Sequence, residues 1–154
     1  MKDVLYTVSA SDLRPISGVI MRRDPLSPAE RSVRMSRVRS RDTKPELTVR
    51  RMVWSLGFRY RLHGKLPGKP DLVFRARKKV IFVHGCFWHQ HKYCHHYRMP
   101  TTNLEFWLPK LRNNTKRDRL NQSLLRKMGW SFLIIWECEL KNKHLPKRII
   151  SFLE

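Results

Sequence analysis

Acidic residues are scarce in this chain of 154 residues: 12 Asp and Glu stand against 33 Lys and Arg, a formal net charge of +21. That excess argues against work on small acidic molecules alone and favours a polyanionic partner, nucleic acid first. Cysteine is also sparse. The three present, Cys86, Cys94 and Cys138, are an odd number, so two intrachain disulfides are impossible. Long apolar runs are missing too: residues 80–83 and 132–136 hold the longest, strand-sized and far short of a membrane span. Asp3 and Asp12 interrupt the N-terminal stretch before an apolar run develops, so no secretory signal is read there. A reduced, cytoplasmic protein is expected, with no membrane attachment, whose cysteines serve as ligands rather than bridges. What is present, 41% hydrophobic residues with five Trp, suffices for one folded domain and excludes a disordered basic tail.

Residues 1–23 read as a flexible leader, with Met21 as an alternative start, and residues 24–154 as one domain. Ser27-Pro28-Ala29-Glu30 is a capping box with Pro at the first helical position. The helix it opens carries Arg31, Arg34, Arg37 and Arg41 on one face and Met35 and Val38 on another. Thr43-Lys44-Pro45-Glu46 starts a second helix, where Val49, Met52, Val53 and Leu56 repeat with helical period until Gly57. Residues 58–62 alternate apolar and basic as a half-buried strand does. Further strands are expected over 71–74, 79–83 and 130–137, the last at the sheet centre. Helices are expected over 104–112, 115–128 and 145–153. The pattern predicts a mixed β-sheet flanked by helices, an α/β fold, without repeats or low-complexity tracts.

Five of the seven His lie between residues 84 and 96, interleaved with Cys86 and Cys94. Thiolate and imidazole are the ligands zinc prefers, and a structural site takes four. Cys86, His91 and Cys94 can face one ion from one loop, with Cys138 as a distant fourth ligand; His89, His95 and His96 compete for the same role. His84 and His89 are also suited to proton transfer near neutral pH. Among the acids, Asp71 opens an otherwise apolar strand, where a carboxylate can hold a hard cation or simply cap a turn. Glu46 favours a helix N-terminus in any case, and Asp118 sits among Lys116, Arg117 and Arg119, where salt bridging explains it equally well.

The stretches Ser40-Arg41-Asp42-Thr43-Lys44-Pro45-Glu46, Leu66-Pro67-Gly68-Lys69-Pro70-Asp71, His84-Gly85-Cys86-Phe87-Trp88-His89, Glu105-Phe106-Trp107 and Trp136-Glu137-Cys138 resemble the very short patch repair (Vsr) mismatch endonucleases, in order over about residues 24–140. The resemblance implies a restriction-endonuclease-like core with a structural zinc and a magnesium-dependent nick of one strand. In that family the nick falls 5′ of the T in a T:G mismatch left by deaminated 5-methylcytosine. By the same resemblance Asp71, with the backbone carbonyl of Val83, binds magnesium, and His89 is the base acting on water with Asp118 as its partner. Glu46 looks like the acid that helps order water at the metal, and His84 stands where related nucleases carry Lys. Cys86, His91, Cys94 and Cys138 look like the zinc ligands; the two residues between His91 and Cys94 are one more than some members have, which keeps His95 as a substitute. Strand 80–83 lacks the acid-x-Lys pattern of typical restriction enzymes, as the family does.

Phe87 and Trp88 lie in a loop flanked by polar chemistry, where both cannot be buried. Apolar wedges unstack a duplex at a few kcal/mol per step, roughly, and a mismatch lowers that cost. By resemblance Phe87, Trp88 and Trp107 form the wedge, Met35 and Val38 enter the other groove, and Arg31 and Arg34 anchor phosphates. The expected partners are double-stranded DNA with a T:G mismatch and, functionally, a 5-methylcytosine DNA methyltransferase. The expected enzyme is a monomer working at the bacterial nucleoid. The competing readings are a zinc-stabilised DNA-binding module without catalysis and a sequence-specific endonuclease on paired DNA.

Overall fold

The computed structural model describes residues 27, 29, 30, 33, 41–62, 64–92 and 94–154. The chain divides into two compact units, Met1–Met35 and Ser36–Glu154. In the first, Ala29, Glu30 and Val33 are helical. The Ser27 amide donates to Glu30 Oε2 at 2.8 Å and the Glu30 amide donates to Ser27 Oγ at 3.3 Å, the reciprocal capping box read from the sequence. Arg31, Arg34, Met35, Arg37 and Val38, like the proposed leader 1–23, lie outside the described residues.

The second unit opens with α1 (Lys44–Ser55), β1 (Leu72–Phe74) and β2 (Lys79–His84), followed by α2 (Leu104–Lys127), β3 (Ser131–Trp136) and α3 (Leu145–Leu153). Thr43 caps α1, exchanging hydrogen bonds with Glu46 at the third helical position. Gly57 ends α1 at φ +88°, and the Phe58 amide reaches back to the Val53 carbonyl at 3.2 Å. Gly129 (φ +73°) ends α2 the same way, with the Trp130 amide on the Leu125 carbonyl at 2.9 Å. Both are left-handed closures that a side chain would strain.

Three expectations need correction. Residues 58–62 form no strand; Arg61 alone pairs, with Val73, by two hydrogen bonds of 2.9 Å. β1 has only three residues, so its outer edge offers little to pair with. The two helices expected over 104–112 and 115–128 are one helix of 24 residues. Asn113 and Asn114 cost a helix less than about 0.7 kcal/mol each, too little to break it, and the Asn114 side chain is used, donating to the Trp88 carbonyl at 3.3 Å. Finally, β3 is not the sheet centre. The order is β1-β2-β3, with β2 antiparallel to β1 and parallel to β3.

β3 is nonetheless apolar because helices cover both sheet faces. Ile135 joins Leu72, Phe74 and Ile81 on the face packed by α1 (Val49, Val53) and α3 (Leu145, Ile149, Leu153). Phe132 and Ile134 meet Val73, Val80 and Phe82 under Leu125 of α2 on the other. Strand alternation then carries His84 and Trp136, which pair in register at the ends of β2 and β3, onto the α2 face. That register delivers the loop after β2 to the side of the long helix. The mixed sheet with flanking helices is the expected α/β architecture.

Candidate active site and metal cluster

Asp71 stands just before β1, after a buried Pro70, and its amide donates to the Ile81 carbonyl at 3.1 Å. Its Oδ2 accepts the Val83 amide at 2.7 Å, which ties it to the far end of β2. The contact seen between these two residues is thus through the Val83 amide. Burial pushes the Asp71 carboxyl up to about 6; the Val83 hydrogen bond opposes this, Glu46 adds to it, and Arg50 and His89 oppose it. The site therefore collects Glu46, Arg50 and His89 around Asp71, residues far apart in the chain.

Glu46, Arg50 and His84 are the buried polar or charged residues among those described, each 7–8% exposed. Glu46 Oε2 accepts from the Asp42 amide (2.9 Å) and Arg50 Nη2 (3.2 Å), while Oε1 accepts from Thr43 Oγ1 (2.9 Å). Its carboxylate thus serves cap and ion pair together, with lone-pair capacity to spare. Arg50 also pairs with Asp42. No local pattern sets this buried Arg apart from the many others in the chain.

His89 Nδ1 lies 2.6 Å from Asp118 Oδ2. The acceptor-only carboxylate makes Nδ1 the protonated nitrogen and leaves Nε2 free to accept. His84 stacks on His89, ring centroids 3.7 Å and planes 13° apart. Burial, reinforced by His89 and opposed by Asp118, pushes His84 down to about 4. At neutral pH it is an uncharged ring, so it cannot supply the positive charge of the Lys it was likened to.

Cys86, His91, Cys94 and Cys138 bring one ligand atom each within 4.8 Å of one another. His91 Nδ1 is 3.5 Å from Cys86 Sγ and 3.3 Å from Cys138 Sγ. Tetrahedral zinc with its usual bond lengths needs sulfur–nitrogen separations of about 3.5 Å, so the residues fit such an ion. Burial pushes the Cys86 and Cys138 thiols up, a cost that a bound cation reverses by taking the thiolates. His95 stands apart, its ring 4.0 Å from that of His96. Two acids flanking Cys138 anchor the cluster. Glu137 accepts the Cys86 amide at 2.9 Å. Glu139 accepts the Trp136 amide at 2.8 Å and takes both Arg148 nitrogens, at 2.7 and 2.9 Å, which hold its carboxyl below the usual range. The sequence signal for both roles was a Glu on either side of a candidate ligand.

Between His84 and His91 the loop turns outward and puts Phe87 and Trp88 against Trp107, centroids 5.5 and 5.8 Å away. Half-exposed Phe106 joins Trp107 at 5.1 Å. Lys110, one helical turn beyond Phe106, holds its ammonium 5.0–5.7 Å from the rings of Phe106, Trp107 and Trp88. Phe106 belongs to the Glu105-Phe106-Trp107 motif, but neither it nor Lys110 has a role assigned by the sequence pattern. On the other side of His89 a cleft of ≈ 730 Å³ opens, lined by His84, His91, Asp118, Trp136, Arg112 and Arg119. The arrangement can bind a cation at Asp71, move a proton at His89 and hold an anionic chain on the basic rim.

The chain is similar to known proteins. The family model for DNA mismatch endonuclease Vsr matches residues 23–96. The type II nicking enzyme V.XorIIP of Xanthomonas oryzae is 46% identical over 120 residues, covering 77% of this chain and 88% of that protein. For the type II nicking enzyme V.NmeAIP of Neisseria meningitidis the identity is 44% over 131 residues, 84% and 93% of the two chains. The DNA mismatch endonuclease Vsr of Escherichia coli is 41% identical over 116 residues, 75% and 74%. Site and relatives together define a DNA-cleaving hydrolase, an endonuclease whose described residues include a Cys/His cluster able to hold a metal ion. Within that class, the chain belongs to the Vsr endonuclease family. No helix among the described residues is long and apolar enough to cross a membrane.

Proposed function

We propose that this enzyme nicks one strand of duplex DNA 5′ of the T in a T:G mismatch, the lesion left when 5-methylcytosine deaminates. One observation carries the reading: a single loop bears both the aromatic pair Phe87–Trp88 and His89, so a wedge between base pairs and a proton acceptor at the phosphate arrive together. The name of the Escherichia coli relative, a mismatch endonuclease, supports it. Phe87, Trp88 and Trp107 enter the duplex where mismatched stacking is cheapest to open. Met35, Val38, Arg31 and Arg34 complete the hold on DNA.

Asp71 and the Val83 carbonyl would hold magnesium, which when bound stabilises charge developing on the phosphate. His89 takes a proton from the attacking water at Nε2, and Asp118 fixes its tautomer through Nδ1. Glu46 lends negative charge beside Asp71 and orders nearby water, and neutral His84 supports the His89 ring. The Cys86, His91, Cys94 and Cys138 cluster holds structural zinc, the choice its thiolates favour. The enzyme acts as a monomer on the bacterial nucleoid, in the cytoplasm, repairing sites made by a cytosine-5 methyltransferase.

The test is strand nicking of matched and T:G oligonucleotide duplexes with magnesium. Cleavage confined to the T:G duplex is expected. Equal cleavage of both points instead to sequence-directed nicking of paired DNA, a reading favoured by relatives named as type II nicking enzymes. No cleavage by folded, metal-loaded protein leaves only a DNA-binding module. Binding should also weaken steeply with salt, with a log–log slope of about −0.9 per neutralised phosphate. A shallow slope in a filter-binding titration counts against the basic surface as the DNA footprint.

A further inference from the structure

Beside the cleft, four rings form one continuous stack that joins the Cys/His cluster to the catalytic pair. His91 lies face to face on Trp136, with centroids 4.1 Å and planes 7° apart. Trp136 meets His84 edge-on at 5.3 Å and 78°. His84 lies flat on His89, and His89 reaches Asp118. Trp136 is thus the ring that touches both the metal cluster and the buried histidine. Its own backbone is fixed twice, by pairing with His84 in the β2–β3 register and by the Glu139 carboxylate on its amide.

We infer that Trp136 is a positioning residue for DNA cleavage: it passes the geometry of the Cys/His cluster to His84 and so holds the His89 ring in line with Asp118. The inference rests on the reading of His89 as the proton acceptor. The sheet fixes the backbones of His84 and Trp136 but not the tilt of their rings. His89 sits on a turn, where a side chain is held less precisely than on a strand or helix, and one face of its ring rests on His84. The tilt of His84 therefore sets that of His89, and Trp136 sets the tilt of His84. An aliphatic side chain at 136 keeps the position apolar but is smaller than indole and offers neither imidazole a flat or edge-on aromatic partner.

The experiment compares Trp136→Leu with Trp136→Phe in zinc-loaded protein. Single-turnover nicking at saturating DNA, KM, metal content, Tm and the low-field proton resonance of His89 Nδ1–H are measured for each. Trp136→Leu should lose about 10- to 100-fold in kcat, the scale of a small misplacement. KM and metal content should stay near wild type, and the His89 resonance should shift or broaden. Trp136→Phe should recover most of the rate and restore the resonance. A Leu variant with wild-type kcat and resonance overturns the inference, as do Leu and Phe variants equally impaired in Tm and metal content, which would mark a purely structural role. Trp136→Met replaces the Leu variant if that chain does not fold. If His89→Ala still nicks, the proton-acceptor reading fails, yet the resonance still decides whether Trp136 positions His89.

Discussion

Asp71→Asn should reduce nicking by about 10³-fold or more, the scale of losing the anchor for a catalytic cation, while making the magnesium-free protein more stable above pH 6. The stability gain follows from linkage. The Asp71 carboxyl is pushed up to about 6, against 3.8 in the unfolded chain. Between these values the folded state binds more protons, so stability falls as pH rises through the window, and the penalty is complete above 6. Asn removes that penalty, about 2–3 kcal/mol at most on the scale of about 1.4 per pH unit. It also keeps an oxygen for the Val83 amide, so no buried donor is orphaned.

His84 works with the opposite sign. Its folded value of about 4 lies below the ordinary 6.5, so the stability it contributes is present above 6.5 and lost as pH falls toward 4. In the wild type the two groups offset each other between about 4 and 6. In Asp71→Asn only His84 remains, and stability should drop more steeply on acidification than in the wild type. Thermal melts from pH 4 to 8, with zinc retained and magnesium omitted, would show this; parallel pH curves for the two proteins would refute the assignment. An Asp71→Asn variant that nicks at the wild-type rate would refute the site itself.

The second large effect concerns the Cys/His cluster. Metal analysis should find one zinc ion per chain, and chelation or Cys138→Ala should abolish nicking and lower Tm by about 10 °C or more. No described residue of the loop between β2 and α2 belongs to either hydrophobic core cluster. Within it, the amide–carboxylate bond from Cys86 to Glu137 cannot replace four metal bonds. Without the ion, three buried or half-buried thiols and an imidazole crowd together with little to gain. Loss of the loop geometry removes Phe87, Trp88 and His89 from their places at once. T:G preference and turnover should therefore disappear together, while general DNA affinity, carried by dispersed Lys and Arg, declines less. Purified, active protein containing no zinc would contradict this account.

Local signals determined much of the molecule. The Ser27–Glu30 and Thr43–Glu46 boxes and the closures at Gly57 and Gly129 depend on residues within a turn of one another, so sequence spacing shows them directly. The density of His and Cys after β2 marked a metal loop, and charge alone pointed to a polyanion. The family resemblance implies that Asp71, His89 and Asp118 act at one site; in the structure His89 Nδ1 lies 2.6 Å from Asp118, and the charge of His89 acts on Asp71.

What tertiary structure alone decided is everything set by neighbours distant in the chain. The apolar run 132–136 looks like a central strand; it lies beside β2 at the edge of the described sheet, and its apolar character comes from helices on both faces. The single long helix, the burial of Arg50 and the ring stack through Trp136 have no local signature. Nor does the charge state of His84, because burial and a neighbouring His89 lower its pKa, and both exist only once β2 and the loop after it are packed. The scarce acids summarise the division. Sequence chemistry marked each as an exception in a basic chain; folding assigned Asp71 to the Val83 amide, Asp118 to His89, Glu46 to a cap and an ion pair, and Glu137 and Glu139 to the anchoring of the Cys/His cluster. A carboxylate's role depends on which cation or amide lies within about 3 Å, and that distance is a property of the packed chain.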